Sequence, residues 1–510
     1  MNVEHTHPKT AAGRVIIIGG GIAGLSCGCY LQMNGIQSEI LEMGAVPGGL
    51  CTSWDRGPYV FDGCLRWLVG TNPSSVFYQI WMELGVIADR EITFHDETVR
   101  MECADGTSLS VPADLDRLAS EFKRIAPEDS ALIDELVCAA RRCASLEPPL
   151  EKPLELMTLL EKIRLGLSCV PILPVFLKWK GLSVARYLAR YRNTFLSETL
   201  LALVGYGHMS AFVLVMVLAF RSRRNTGFVI GGSRAFAGAI ADRYTRLGGV
   251  IRCNTRVVSI RVENDRATGV NCSDGTLIPA SAVVSCADGH TTIFKMLNGR
   301  YVNKRLVCMY EQNEPFPGMV LVSLGINRAF PDAPQALSLP GAQSLMAYSP
   351  IMQHARLDVS VFGPEAGLCS EGKTLVTVRI PAFYDFWNGL KKDNPQGYQA
   401  EKKVILQKVV GILDRRFPGL AEHLEQSDVA TPATFARYTA NWRGSYEGWL
   451  PTPRMIGRRI PCTLPGLEGL YMAGHWVVAG GGLPFVALSG RYAAQMVCAR
   501  NGKMFVATKP

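Results

Sequence analysis

The 510-residue chain lacks the marks of several common protein classes. Despite 15 cysteines it has no CxxC pair and no pair of pairs at zinc spacing, which argues against disulfide exchange; no metal site is expected. The cysteines read as reduced, mostly buried small residues of a cytosolic protein. There is no low-complexity tract and no internal repeat, so neither a disordered scaffold nor a solenoid is indicated. Lysine and arginine outnumber acids to give a net charge of +9, but they are scattered in short runs such as Arg221-Ser-Arg223-Arg224 and Arg458-Arg459. Without one basic face, nucleic-acid binding is not expected, and a mild excess suits an anionic membrane surface better. No signal peptide is read before Val15, where the first apolar run, Val15 to Ile18, is short.

An unbroken apolar run long enough to cross a bilayer is also missing. Leu200 to Phe220 approaches the required length of about 20 residues, but Gly205, Gly207, His208 and Ser210 interrupt it and Arg221 ends it. Leu165 to Trp179 is shorter and carries Pro171 and Pro174. Both stretches are expected in a core or in one-sided contact with a membrane surface rather than in a span. His208 is expected as a hydrogen-bonded core histidine. The location expected is cytoplasmic, with peripheral membrane contact left open.

What the sequence does contain begins at Val15-Ile-Ile-Ile18-Gly19-Gly20-Gly21-Ile22-Ala23-Gly24. A run of four β-branched residues reads as a buried parallel strand. Gly19, Gly21 and Gly24 then form GxGxxG: a tight turn, a close approach for phosphate, and a close helix–strand contact. A helix starting near Ile22 would aim its free N–H groups, including those of Ile22 and Ala23, at a pyrophosphate. A second strand, Ser38 to Glu42, ends on an acid eighteen residues after Gly24, where a carboxylate accepts ribose hydroxyls.

Gly44-Ala-Val-Pro47-Gly48-Gly49-Leu50 follows directly, and Tyr59-Val-Phe61-Asp62-Gly63 comes after it. These segments resemble the flavin-binding start of the phytoene desaturase and amine oxidase superfamily. Three more stretches resemble it: Gly231-Gly232-Ser233-Arg234; Thr255 to Ile260 with the meander that follows; and Leu470 to Trp476 with Gly480-Gly481-Gly482-Leu483-Pro484. The resemblance implies an α/β fold with a discontinuous, glutathione-reductase-like FAD-binding Rossmann domain and a mixed α+β substrate domain. It divides the chain into FAD-binding parts at 11–110, 228–300 and 425–510, separated by substrate-domain parts at 111–227 and 301–424. It implies FAD contacts from Gly48, Gly49, Leu50, Val257, Gly474, His475, Gly482 and Leu483, beside those from the first motif. Proline is well tolerated in a first helical turn, so Pro484 marks a helix whose positive end can stabilise charge on a reduced flavin.

The nearest-looking relatives are carotenoid desaturases, carotenoid isomerases and retinol saturases. Leu50 stands where many amine oxidases carry arginine, and His475 where relatives often carry an acid. No second GxGxxG follows a strand, so no built-in nicotinamide domain is expected. The resemblance implies an FAD-dependent oxidoreductase acting on carbon–carbon bonds of a hydrophobic isoprenoid or polyene, by desaturation, saturation or isomerisation. Two other functions stay open: a flavin-dependent amine or amino-acid oxidase, and a prenyl-lipid escort protein without catalysis. Candidate catalytic residues are those flanking the cofactor loops, His475, Arg66 and Trp67, with Cys64 and Trp476 beside them. Tyr438, Trp442 and Tyr446 recur every four residues, which suggests one face of a helix, weakened by Gly444 and Gly448.

Overall fold

The structure is a computed structural model that describes residues 13–508 other than 89, 150, 350, 351, 353 and 354. Residues Val15–Ile18 form a strand with every side chain buried, as β-branched residues covered on both faces should. Ser38–Leu41 and Ala282–Ser285 flank it in parallel, and Val250–Arg252 and Leu470–Met472 complete a five-stranded parallel sheet. Three distant stretches of chain therefore build one sheet. An antiparallel meander, Val257–Glu263, Arg266–Cys272 and Leu277–Pro279, leads into the fourth of its strands.

Helix Ile22–Met33 is buried along its whole length. The sheet, helix Gly232–Arg246 and helix Leu483–Arg500 pack around it. Gly490 permits the closest of these contacts, since a Cβ there would stand 2.3 Å from the Ala23 carbonyl oxygen. The Ser26 hydroxyl donates to the Ala487 carbonyl across the same contact at 2.7 Å.

A second, seven-stranded sheet runs Leu424–Ala430, Gly318–Ile326, Thr374–Ala382, Arg356–Phe362, Ala336–Pro340, Glu97–Glu102 and Ser108–Pro112. Its period of two separates two faces. Val320, Val322, Val376, Val378 and Ile380 pack against Ile405, Val409 and Leu413 of helix Pro395–Arg416. Met319, Leu321, Thr377 and Arg379 point the other way, into a cavity. Strands at 97–112 and 424–430 belong to this sheet, so divisions at 110 and 424 cut through it.

Helices between 115 and 222 form an apolar layer of their own, centred on Leu118, Phe122, Leu136 and Leu214. Leu200 to Phe220 is not one helix. Thr194–Val204 ends at Gly205, in a left-handed conformation at φ +83°, and Ala211–Ser222 starts anew under a Ser210 cap. No helix among the described residues is long and apolar enough to cross a membrane. Contrary to expectation, His208 is exposed, because it falls in the turn between those helices. Leu165 to Trp179 is part core and part surface: Ile172, Val175 and Trp179 are buried in the apolar layer, while Leu167 and Leu177 are 64% and 61% exposed. Helix Leu159–Ser168 buries none of its residues.

Candidate active site

The glycine motif works through close approach. A Cβ at residue 24 would sit 2.0 Å from the Gly19 carbonyl oxygen, so the strand–helix turn closes only over glycine. Gly24 thus lies beneath the cradle, while Gly19, Gly21, Ile22 and Ala23 line a cavity of about 600 Å³. The helix starting at Ile22 has no side-chain cap and no acid in its first turn. Its leading N–H groups are left without partners in their own helix, as an anion site requires.

Glu42 ends the second strand on the cavity wall. Its carboxylate accepts the Gly20 N–H at 2.7 Å through Oε2 and the Gly44 N–H at 2.6 Å through Oε1. Each oxygen keeps lone-pair capacity for a hydroxyl. The Gly48 N–H donates to the Gly20 carbonyl at 2.9 Å, clasping the second glycine loop to the first, and Gly48, Gly49 and Leu50 join the lining. Val257, first residue of its strand, lies on the same wall.

Asp62 fixes the loop carrying the next candidates. It accepts the N–H groups of Cys64 and Leu65 at 2.9 Å each, and the N–H and hydroxyl of Ser233 at 2.6 Å each. Burial nevertheless holds the Asp62 carboxyl above the usual range. Cys64, Arg66 and Trp67 all reach the cavity. Arg66 pairs with Asp358 at 2.9 Å and donates to the Ser360 hydroxyl at 2.8 Å.

From the C-terminal stretch, Gly474, His475, Trp476, Gly482 and Leu483 face the same space. The Gly474 N–H is already taken by the Ser489 hydroxyl at 2.8 Å. Burial pulls the His475 imidazole down to about 4, so it is neutral at physiological pH, with Nε2 3.4 Å from the Asn441 amide nitrogen. Trp476 donates to the Asn441 side-chain oxygen at 2.8 Å and packs edge-on against Trp449. Helix Leu483–Arg500 starts from Gly482 without a side-chain cap or an acid in its first turn, so a second bare helix N-terminus meets the cavity. Tyr438, Trp442 and Tyr446 do not share a helix: Pro432–Thr439 stops at Ala440, which has positive φ, as does Arg443. Tyr438 and Tyr446 line the cavity, while Trp442 stacks on His290.

Five further residues on this wall carry charge chemistry that sequence reasoning missed. Glu447 has no hydrogen-bond partner among the described residues, and burial raises its carboxyl from 4.5 to about 7. Its Oε1 lies 3.5 Å from where a Cβ of Gly482 would stand. Asp288 is raised to about 6 by burial, against hydrogen bonds from Thr291 and His290 that pull it down. Arg221, Asp358 and Arg379 complete the set. None lies in a recognisable motif, and Arg221 merely ends an apolar run.

The cradle fits FAD on its own geometry: open backbone at Gly21, two bare helix ends, and a carboxylate held by main chain but able to accept more. The protein is an FAD-dependent oxidoreductase on a Rossmann-like α/β fold. It belongs to the flavin containing amine oxidoreductase family, whose model matches residues 22–298. Over nearly the whole chain it is similar to carotenoid enzymes. Prolycopene isomerase 2, chloroplastic, of an Oncidium hybrid cultivar is 24% identical over 96% of this chain and 84% of its own. The neurosporene-forming phytoene desaturase of Rhodobacter capsulatus is 25% identical over 95% and 94%. Among solved structures, cyclohexylamine oxidase from Brevibacterium oxydans superposes with a TM-score of 0.61 at 12% identity, covering 96% of this chain and 100% of that one. That last likeness concerns the fold alone.

Proposed function

We propose that this protein catalyses desaturation, saturation or isomerisation at carbon–carbon bonds of a polyene or isoprenoid lipid. The observation that carries this reading is a single cavity running from the dinucleotide cradle to a wall that includes Leu201, Leu203, Val204, Leu337, Leu357 and Phe362. When bound, FAD supplies hydride or electron exchange at its ring. The protein's own residues then position and protonate. We assign the pyrophosphate to the N–H groups at Ile22 and Ala23, the ribose to Glu42, the adenine side to Val257, and the flavin edge to Gly482 and Leu483. Glu447, poised near neutrality beside that edge, holds or releases the proton that saturation or isomerisation needs. His475 stays uncharged and shapes the wall. Arg66 and Trp67 bind substrate rather than react.

Amine oxidation is the weaker reading, because sequence similarity along nearly the whole chain runs to carotenoid enzymes at 24–25% identity, while cyclohexylamine oxidase is 12% identical. A substrate of this kind partitions into lipid. The exposed leucines of helix Leu159–Ser168, with Lys162 and Arg164 among them, support contact with an anionic membrane surface. The test is anaerobic mixing of oxidised and of reduced holoenzyme with polyenes, fatty acids and amines, following flavin absorbance and analysing products. Polyene conversion is expected. Flavin bleaching by amines alone would overturn the proposal.

A further inference from the structure

A pocket for a pure hydrocarbon needs no charge, yet one part of this cavity is strongly cationic. Asp358 and Arg379 are cross-strand partners, and the Arg379 guanidinium pairs with the Asp358 carboxylate. Arg66 pairs with the same carboxylate from the other side. The Asp358 side chain is 47% accessible although desolvation raises its carboxyl, so the space it faces is the cavity. Arg221 completes the group, its guanidinium 4.6 Å above the Trp67 ring.

Two guanidinium groups therefore pair with one carboxylate, and a third, that of Arg221, stands beside them. Arg356, also on the wall, has its own acid in Glu198 at 3.8 Å. Arg221 has none among the described residues: its Nε lacks any hydrogen-bond partner, and its only charged influence is Arg66, a like charge. Burial and that repulsion pull Arg221 down only to about 9, so it remains cationic at neutral pH. A buried, unpaired cation is costly to the fold and persists where an anion completes it. Planar guanidinium forks favour bidentate oxyanions.

We infer that the substrate is an acidic lipid whose anionic headgroup, a carboxylate or a phosphate, sits between Arg221 on Trp67 and the Arg66–Asp358–Arg379 cluster. This rests on the polyene reading above and narrows it, excluding an unfunctionalised hydrocarbon as the preferred ligand. The reacting bond lies near the acid end. Burial raises the hydroxyls of Tyr206 and Tyr446, which lie 3.2 Å apart, and the charges of both Glu447 and Asp358 add to the rise, so both carboxyls border the same tyrosine pair.

The test is equilibrium binding to the holoprotein, read from flavin absorbance changes. The probes are retinoic acid, methyl retinoate, lycopene, farnesyl phosphate and farnesol. An acid should bind roughly tenfold or more tightly than its uncharged counterpart, as expected for a buried charged hydrogen bond. The pair that shows the contrast identifies carboxylate or phosphate. In Arg221→Met the contrast should collapse, and Arg221→Lys should keep part of it. Equal binding of acids, ester, alcohol and hydrocarbon by the wild-type protein overturns the headgroup and leaves the polyene reading standing. If none of the five binds, both fall.

Discussion

Replacing Glu447 by glutamine should stabilise the protein and cripple it, and the two effects should have different pH dependences. Burial alone raises this carboxyl from 4.5 to about 7. Such a rise corresponds to about 3 kcal/mol of preference for the protonated form, and to about 2 kcal/mol once hydration from the cavity is allowed for. Below pH 4.5 the group is protonated in both folded and unfolded chains and costs nothing. Between 4.5 and 7 the unfolded carboxyl ionises while the folded one resists, so stability falls as pH rises; above 7 the cost is constant. Glu447→Gln removes it. The melting temperature should therefore exceed that of the wild type at pH 8 and match it at pH 4.5. Turnover should fall about a hundredfold or more, as for loss of a general acid or base, and the inflection near pH 7 should vanish from its pH profile. Differential scanning calorimetry at the two pH values, beside steady-state rates from pH 5 to 9, measures both. Undiminished turnover, or a stability gain of the same size at both pH values, would refute the reasoning.

Other outcomes follow from the same structure. Asp62→Ala strips five hydrogen bonds, from Ser53, Cys64, Leu65 and Ser233; it should cost about 2–4 kcal/mol and loosen the loop bearing Arg66, seen as a lower melting temperature and weaker ligand binding. Replacing Leu160 and Leu167 with aspartate should reduce co-sedimentation with anionic phospholipid vesicles while leaving the melting temperature unchanged, because helix Leu159–Ser168 buries nothing. Unchanged sedimentation would remove that surface from the account.

The cofactor end was legible in the sequence because phosphate and close packing impose glycine at fixed spacing. A Cβ 2.0 Å from a carbonyl at residue 24 leaves a mark no drift can blur. The first strand of the five-stranded sheet was equally readable from the β-branched run Val15–Ile18, whereas Ser38–Leu41 and Leu470–Met472 stood out by the acid and glycine motifs beside them. The substrate end was not, for a different reason in each case. Arg221 sits in the last turn of an apolar helix and looks like an end of solvated charge, yet the helix turns it inward onto Trp67. Asp358 and Arg379 occupy alternating strands where a charged residue normally faces water; here that face borders a cavity. Glu447 has no motif because its property comes from what surrounds it, namely burial without a partner. The aromatic spacing of four at Tyr438, Trp442 and Tyr446 misled because Ala440 and Arg443 adopt positive φ and break the helix.

The most direct test of the assigned cradle is the flavin content of purified protein, wild type against Gly24→Ala. The wild type should carry about one FAD per chain, released by acid as the dinucleotide. The variant, whose added methyl collides with the Gly19 carbonyl and pushes the helix end away from the phosphates, should fold but emerge colourless and take up added FAD at least tenfold more weakly. A Gly24→Ala protein as yellow as the wild type, or a wild-type protein that refuses FAD, would contradict the account.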